Sequence, residues 1–404
     1  MEFGPILRAM LKSKAGYVLI ALQIAVTMTI MVNAIGIMQE RANAISRDSG
    51  MDEANTFAFA SATFAPDIDA RTLIDEDLDL LRNLPGVRSV VATNSFPLRQ
   101  GGWSQGLQLE PDSQSTDSVG TAIYFVDEHG VDALGTTVID GENFAPNQVS
   151  WKDPEDNRWP AYGIITEALA KELFPDEAGS IVGKTVYLDQ DNPVNIVGVI
   201  DRLQAPWQSW SGVERSLLVP QRRASDFQRY VVRTEPGYRD ELMLQVEELL
   251  ANSNKDRIIR SMQTIDEVRK MAYLGDAALI KILTFTVILL TAITGFGIVG
   301  LASFNVSRRT RQIGIRRALG ATKLAIMRYF MVENFIVSSV GIFVGGILAV
   351  ALNIVMVEAF ALEPLSWYVI PAAMIVLLTV GQAAVSGPAR KASKISPAIA
   401  TRSG

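Results

Sequence analysis

Residues 308–322 read RRTRQIGIRRALGAT, and the rest of the chain can be organised outward from them. Arginine fills five of the fifteen positions, and no acid occurs between Arg308 and Glu333. Ile313, Arg317 and Gly320 fall at helical spacing, as do Ile315 and Leu319, which predicts a short helix with an apolar face and basic flanks. On either side lies an apolar run of about 20 residues, enough to cross a hydrocarbon core. These runs are residues 282–304 before the segment and 335–357 after it. Two more occupy 16–38 and 366–386. The first is longer than a signal-peptide core and no Ala-x-Ala site follows, so it reads as a retained anchor. Polar Gln23 and Asn33 within it are expected between helices, whereas Tyr17, Trp367 and Tyr368 sit at span ends, where aromatic rings prefer the interface.

Charge orients the spans. Arg8, Lys12 and Lys14 precede the first, seven basic residues separate the second from the third, and Arg390, Lys391, Lys394 and Arg402 follow the fourth. Only Glu2 and Glu333 are acidic in these segments, so both termini and the 305–334 loop are expected in the cytoplasm. Residues 39–280 carry 39 Asp and Glu against 22 Lys and Arg, a net charge of −17, and are expected outside. That balance speaks against anionic ligands there and modestly for cationic or amphiphilic ones. Residues 1–15 place Ile6, Leu7, Met10 and Leu11 on one helical face, which suits either a helix lying on the inner leaflet or an extension of the first span. The 404-residue chain has no cysteine and one histidine, His129, which excludes disulfides, thiolate metal sites and His-His zinc sites.

The outer region repeats one pattern at its two ends. Residues 56–64, 73–83 and 87–92 read strand, helix, strand, with Leu73, Asp77, Leu80, Leu81 and Leu84 on related helical faces. Residues 227–234, 239–252 and 257–263 repeat the order. Helical stretches at 39–47 and 264–279 would serve as stalks. The expected fold is therefore an α-helical membrane protein with four transmembrane helices and a large α+β extracytoplasmic domain, 39–281. In it a split ferredoxin-like layer, 55–96 and 225–263, carries an inserted β-rich subdomain, 97–224. Residues 387–404 form a cytoplasmic tail.

Two features of the insert invite a functional reading. AGSIVGKT, residues 178–185, satisfies the loose form of a phosphate-binding loop. Thr185 opens an alternating β-branched run, however, so the helix N-terminus that such chemistry requires is not expected. Five of the six tryptophans lie in the insert; most read as packing, while Trp207 and Trp210, in the loop-like PWQSWSG, are candidates for docking a partner. His129, beside Asp127 and Glu128, reads as a surface residue.

The inner segment resembles the signature of the MacB/FtsX-type permeases, the transmembrane subunits of type VII ABC transporters. That pattern reads close to ERTREIGIRRALGA, with Gln312 here in place of its second glutamate. Glu333, then Gly341, Gly345 and Gly346 in the third span, and PARKASKISP at 388–397 extend the likeness, as do ELFPD at 172–176 and VGVI at 197–200. The resemblance implies that Ile313, Gly314, Ile315, Arg316, Arg317, Ala318, Leu319, Gly320 and Ala321 form a coupling helix seated on a separate cytoplasmic ATPase subunit. Arg316 and Arg317 would meet its acidic residues, Ile313, Ile315 and Leu319 would anchor it, and the small residues would admit its surface. Glu333, Gly341, Gly345 and Gly346 are expected to pack helices.

By the same resemblance the chain binds no cofactor itself, and ATP and Mg belong to the partner ATPase. With about 15 residues before the first span, that ATPase is expected on another polypeptide. A second permease, identical or paralogous, would complete the dimer; a periplasmic adaptor is a further candidate partner, membrane lipids surround the spans, and nucleic acid has no place. The expected location is the bacterial inner membrane. The implied role is ATP-driven export or extraction by mechanotransmission to the outer domain. The alternative is an FtsX-like signalling permease that activates cell-wall hydrolases. An enzyme is not expected, since no nucleophile–base pair stands out.

Overall fold

The structure is a computed structural model that describes residues 14–64, 69–111, 118–152, 158–177, 179–360 and 364–396. The expected amphipathic segment with Ile6, Leu7, Met10 and Leu11 lies outside the described residues. The described chain falls into two compact units: Ser46–Leu274, and the flanking segments that end at Ile45 and resume at Gly275. Helix α1 (Lys14–Ser46) is continuous, so the expected stalk at 39–47 is its last turns.

The α/β unit begins with β1 (Thr56–Thr63), α2 (Ala70–Arg82) and β2 (Val87–Thr93). An insert follows: β3 (Trp103–Gln108), β4 (Val119–Val126), α3 (Gly130–Leu134), β5 (Val138–Gly141), β6 (Ser150–Lys152), β7 (Tyr162–Thr166), α4 (Glu167–Leu173), β8 (Thr185–Leu188), β9 (Asn192–Ile200) and β10 (Ser216–Arg223). The unit closes with β11 (Phe227–Thr234), α5 (Arg239–Ser253), β12 (Arg257–Thr264) and α6 (Ile265–Ala272).

The outer elements form a four-stranded antiparallel sheet in the order β12-β1-β11-β2, the ferredoxin-like arrangement of two β-α-β halves. Alternation turns Phe57, Phe59, Val90, Tyr230 and Val232 to one face, where α2 and α5 cover them with Ile74, Leu78, Leu81, Leu242, Val246 and Leu250. The buried stripe of α2 is offset from the expected one: Ile74, Asp77, Leu78 and Leu81 face inward, while Leu80 is exposed. Asp77 fixes that phase. Its carboxylate accepts from Arg257 Nη1 at 2.8 and 2.9 Å and from the Tyr230 hydroxyl at 2.8 Å, and both charged side chains are 1% exposed. Burial pushes the Asp77 carboxyl above its usual range, against the pull of Arg257 and Tyr230.

Within the insert β4, β3, β8, β9, β7 and β10 pair in sequence, and β10 pairs back with β4, so six strands close on themselves. Closure leaves no free edge among them and encloses Leu107, Ile123, Ile165, Leu188, Ile196 and Leu217. Gly183, at φ +86°, makes the turn into β8 and no helix follows, so the GKT motif lacks the helix dipole a phosphate loop needs.

The expected stalk at 264–279 is not one helix. A capping box starts α6, with Thr264 Oγ1 accepting from Glu267 N at 3.2 Å and Glu267 Oε2 from Thr264 N at 3.0 Å. That helix stops at Tyr273, where α7 (Leu274–Arg308) takes over. After it come α8 (Thr310–Ala318), α9 (Lys323–Phe360) and α10 (Val369–Ser393). Helices α1, α7, α9 and α10 have 33, 35, 38 and 25 residues, each beyond the roughly 20 a bilayer requires. Their shared core includes Ile24, Met28, Ile298, Val337, Ile342 and Leu377. Leu22, Ile288, Phe296, Phe343 and Ile375 face outward, as a hydrocarbon solvent demands.

Candidate functional site

The short helix α8 begins at Arg309, whose backbone accepts the first helical bond from Ile313 N at 2.9 Å. Its guanidinium is not used as a cap. It turns back into the bundle, where Nη1 donates to Glu333 Oε1 at 3.1 Å and to the Tyr329 hydroxyl at 3.3 Å, and Nη2 to the Tyr17 hydroxyl at 3.3 Å. Tyr17 in turn donates to Glu333 and accepts from Asn305 Nδ2 at 3.0 Å. Residues of α1, α7 and α9 thus meet Arg309, the N-cap of α8, in one hydrogen-bonded clasp. Glu333 is 4% exposed, and a charge so deep must be paired.

Tyr17 was expected at the membrane interface; it is buried because its hydroxyl has these partners. Arg309, Asn305 and Tyr17 were missed as site residues. The signal was Glu333, a lone acid after a basic run at the edge of an apolar span, which calls for a cationic partner nearby.

Ile313 was expected on the outward apolar face with Ile315 and Leu319, but it is 5% exposed. It packs with Val306, Ile326, Phe330, Ala389 and Ala392 and seats α8 on its own bundle. Gly314 is buried beside it. The outward surface is Ile315 at 47% and Leu319 at 83% exposure, with exposed Arg311, Arg316 and Ala318 around them. Arg316 lies 5.0 Å over the Tyr329 ring. Arg317 is half-buried and donates to the Ala321 carbonyl at 3.1 Å.

Gly320 has a local reason for being glycine. At φ +93° it ends α8, with Gly320 N donating to Arg317 O at 3.2 Å and Ala321 N to Arg316 O at 3.0 Å, the paired bonds of a Schellman motif. Thr322 Oγ1 then accepts from Ala325 N at 3.1 Å and caps α9. Gly-Ala-Thr is a helix stop followed at once by a helix start, which fixes where Leu319 points.

Higher in α9, Gly341 and Gly345 admit α1. A Cβ at Gly341 would lie 2.7 Å from Ala21 O, and one at Gly345 2.6 Å from Ala25 O. Thr29 Oγ1 donates to Gly345 O at 3.1 Å and Asn33 Nδ2 to Ala349 O at 3.2 Å across the same contact. Gly346 differs: its nearest neighbour is Met374 Cε at 3.8 Å, so it makes no close approach. Trp207 and Trp210 are half-buried and meet edge to face at 6.1 Å. The Trp210 ring covers Gly212 and Gly120, and Gln208 between the two donates to Ala272 O at 3.0 Å.

Comparison with known proteins completes the description. Residues 18–249 match the model of the MacB-like periplasmic core domain, and residues 284–397 that of the FtsX-like permease C-terminal region. An uncharacterized ABC transporter permease, YknZ of Bacillus subtilis (strain 168), is 24% identical over 343 residues, 82% of this chain and 79% of that protein. The macrolide export ATP-binding/permease protein MacB of Shewanella oneidensis is 25% identical over 306 residues, 72% of this chain and 42% of its own length. MacB of Brucella abortus (strain 2308) is 26% identical over 353 residues, 82% of this chain and 49% of its own. The chain therefore spans less than half of these MacB relatives. The solved extracellular domain of YknZ is covered completely by 50% of this chain, at 17% identity and a TM-score of 0.31.

Proposed function

This chain belongs to the MacB/FtsX-type ABC transporter permeases, and from that premise we propose that it is the membrane subunit of an ATP-driven exporter or extractor. It passes the motion of a cytoplasmic ATPase to its α/β unit. The observation that carries the proposal is Leu319, 83% exposed on a helix held to the bundle by Ile313 and the Arg309–Glu333 clasp. A large apolar side chain displayed on a rigid, basic, acid-free surface suits a partner with an apolar socket and an acidic rim. Force on α8 reaches α1, α7 and α9 through Tyr17, Asn305, Arg309 and Glu333 without bending a flexible linker.

ATP and Mg belong to the ATPase subunit in this reading, and the chain itself is not an enzyme. Support comes from YknZ, named as a permease alone and matched over 79% of its length. The basic inner loop and the acidity of the other unit favour cytoplasmic termini and an outward α/β unit in the bacterial inner membrane. A second permease, identical or paralogous, completes the complex, with a periplasmic adaptor as a further partner.

Affinity purification of the tagged permease from its native membrane in mild detergent, with mass spectrometry of its companions, tests the assignment. An ATPase with a second permease or an adaptor is the expected result. An ATPase with a cell-wall hydrolase would replace export by FtsX-like signalling. Intact permease recovered with no ATPase would overturn the central claim.

A further inference from the structure

Most half-buried arginines of the α/β unit are held by acids, and three that line clefts are not. Arg82, Arg222, Arg233, Arg257 and Arg269 each pair with a carboxylate. Arg99, Arg223 and Arg229 do not, among the described residues. They line two adjoining clefts of about 250 Å³ each, which share Phe227 and Arg229. The cleft with Arg99 lies over the face of the ferredoxin-like sheet opposite its helices, marked by Ala58, Ala60 and Arg229, and the cleft with Arg223 lies beside it, between residues of β2 and β11 and Phe125 of β4.

Aromatic faces take the place of acids. Arg229 lies 4.6 Å over the Phe227 ring, and Arg223 lies 4.8 Å over Trp103 and 5.2 Å over Phe125. A ring face attracts a guanidinium through its quadrupole and leaves the positive charge in place, so an oxyanion can still be bound. Arg229 Nη1 donates to Asn94 O at 3.1 Å, but its Nε is buried without a partner. Arg99 makes one 3.4 Å bond, to Gly101 O. Burial, with Arg99 nearby, pulls the Arg229 guanidinium down to about 10, so it remains charged at neutral pH and gains from an approaching anion.

The backbone supplies an independent mark. Leu98 and Gln100, both at φ +67°, and Ser261 at φ +54° all border the more apolar of the two clefts. They are three of the five non-glycine residues with positive φ among the described residues; the other two, Asp189 and Gln190, form the β8–β9 turn. Backbone strain of this kind gathers at binding sites.

We propose that the joined clefts bind an anionic amphiphile: a carboxylate or phosphate is held by Arg99, Arg223 and Arg229, and an apolar body lies against Leu98, Phe227 and Met271. The net charge of the region repels anions at long range, but screening over roughly 8 Å at physiological salt leaves the local cluster to decide. This reverses the preference for cations drawn from net charge. The site rests on the α/β unit alone and not on the coupling of α8.

Calorimetric titration of the full chain in phosphatidylcholine nanodiscs tests it, with three water-soluble probes: phenyl phosphate, inorganic phosphate and phenyltrimethylammonium. Phenyl phosphate should bind saturably, inorganic phosphate roughly tenfold more weakly, and the cation not at all. Arg229→Gln and Arg99→Gln should each weaken phenyl phosphate by about tenfold or more, with the melting temperature unchanged. Should Arg229→Gln fail to fold, Arg99→Gln carries the test, because its side chain has one weak bond to lose. No saturable binding, equal binding by the variants, or equal binding of the cation would overturn the site. Inorganic phosphate binding as tightly as phenyl phosphate would overturn the amphiphile. No ATPase enters the assay, so failure here leaves the coupling proposal standing, and the reverse holds too.

Discussion

Replacing Arg309 by Met removes three hydrogen bonds at once, to Glu333, Tyr329 and Tyr17. It leaves the Glu333 carboxylate, 4% exposed, with the Tyr17 hydroxyl and no cation. Stranding one member of a buried pair costs roughly 3–5 kcal/mol, about two to four powers of ten in the folding equilibrium. The partner change, Glu333→Met, should cost less, about 2 kcal/mol, because the Arg309 side chain is 16% exposed and keeps two hydroxyl partners. With both replaced, neither charge is stranded and Tyr17 keeps Asn305, so the double variant should fall within about 1.5 kcal/mol of the parent. Equilibrium unfolding in dodecyl sulfate–phospholipid mixed micelles, arranged as a double-mutant cycle, reads these differences. The expected coupling is about 3 kcal/mol or more, with ATPase stimulation still impaired in the stable double variant, since apolar contact does not fix one geometry. Single variants within about 0.5 kcal/mol of the parent, or additive losses in the double, would refute the clasp as the element that holds α8.

Leu319→Asp should leave the melting temperature unchanged, because the side chain is 83% exposed, and lower ATPase stimulation in the assembled complex by about tenfold or more; unchanged stimulation would remove α8 from the coupling route. Gly320→Ala, at φ +93°, should destabilise the loop by about 1 kcal/mol and Gly320→Asn by less, measured by amide exchange across 315–325. Neighbouring glycines in α9 should diverge: Gly345→Ala forces a Cβ to 2.6 Å from Ala25 O and should cost about 1–3 kcal/mol, whereas Gly346→Ala meets nothing nearer than 3.8 Å and should be neutral or stabilising. Equal effects at the two positions in thermal unfolding would show that the α1–α9 approach is looser than described.

Much of the architecture is legible in order and period alone. Four apolar runs, a basic loop between the second and third, and two strand–helix–strand repeats each rest on local composition, and local composition is what a sequence displays. Ile313 shows the limit. A short helix has several apolar side chains, and nothing in RRTRQIGIRRALGAT says which of them faces its own bundle. The phase of α2 is the same kind of case: Leu73 and Leu80 fit a helical stripe as well as Ile74 and Leu78 do, and the choice was made by Asp77 reaching Arg257, 180 residues away.

The sequence by itself determined the membrane spans, their charge asymmetry, the ferredoxin-like repeat and the basic segment between the second and third spans, because hydrophobic length, charge and periodicity act within a few turns of chain. Only the tertiary structure decided that Tyr17, Asn305, Arg309 and Glu333 form one clasp, that Gly320 closes a helix, and that Arg99, Arg223 and Arg229, with no carboxylate partner among the described residues, line two adjoining clefts. Those outcomes depend on which distant groups share a buried, poorly screened volume. A chain cannot show that before it is folded, because the energy of a buried charge is set by its neighbours in space.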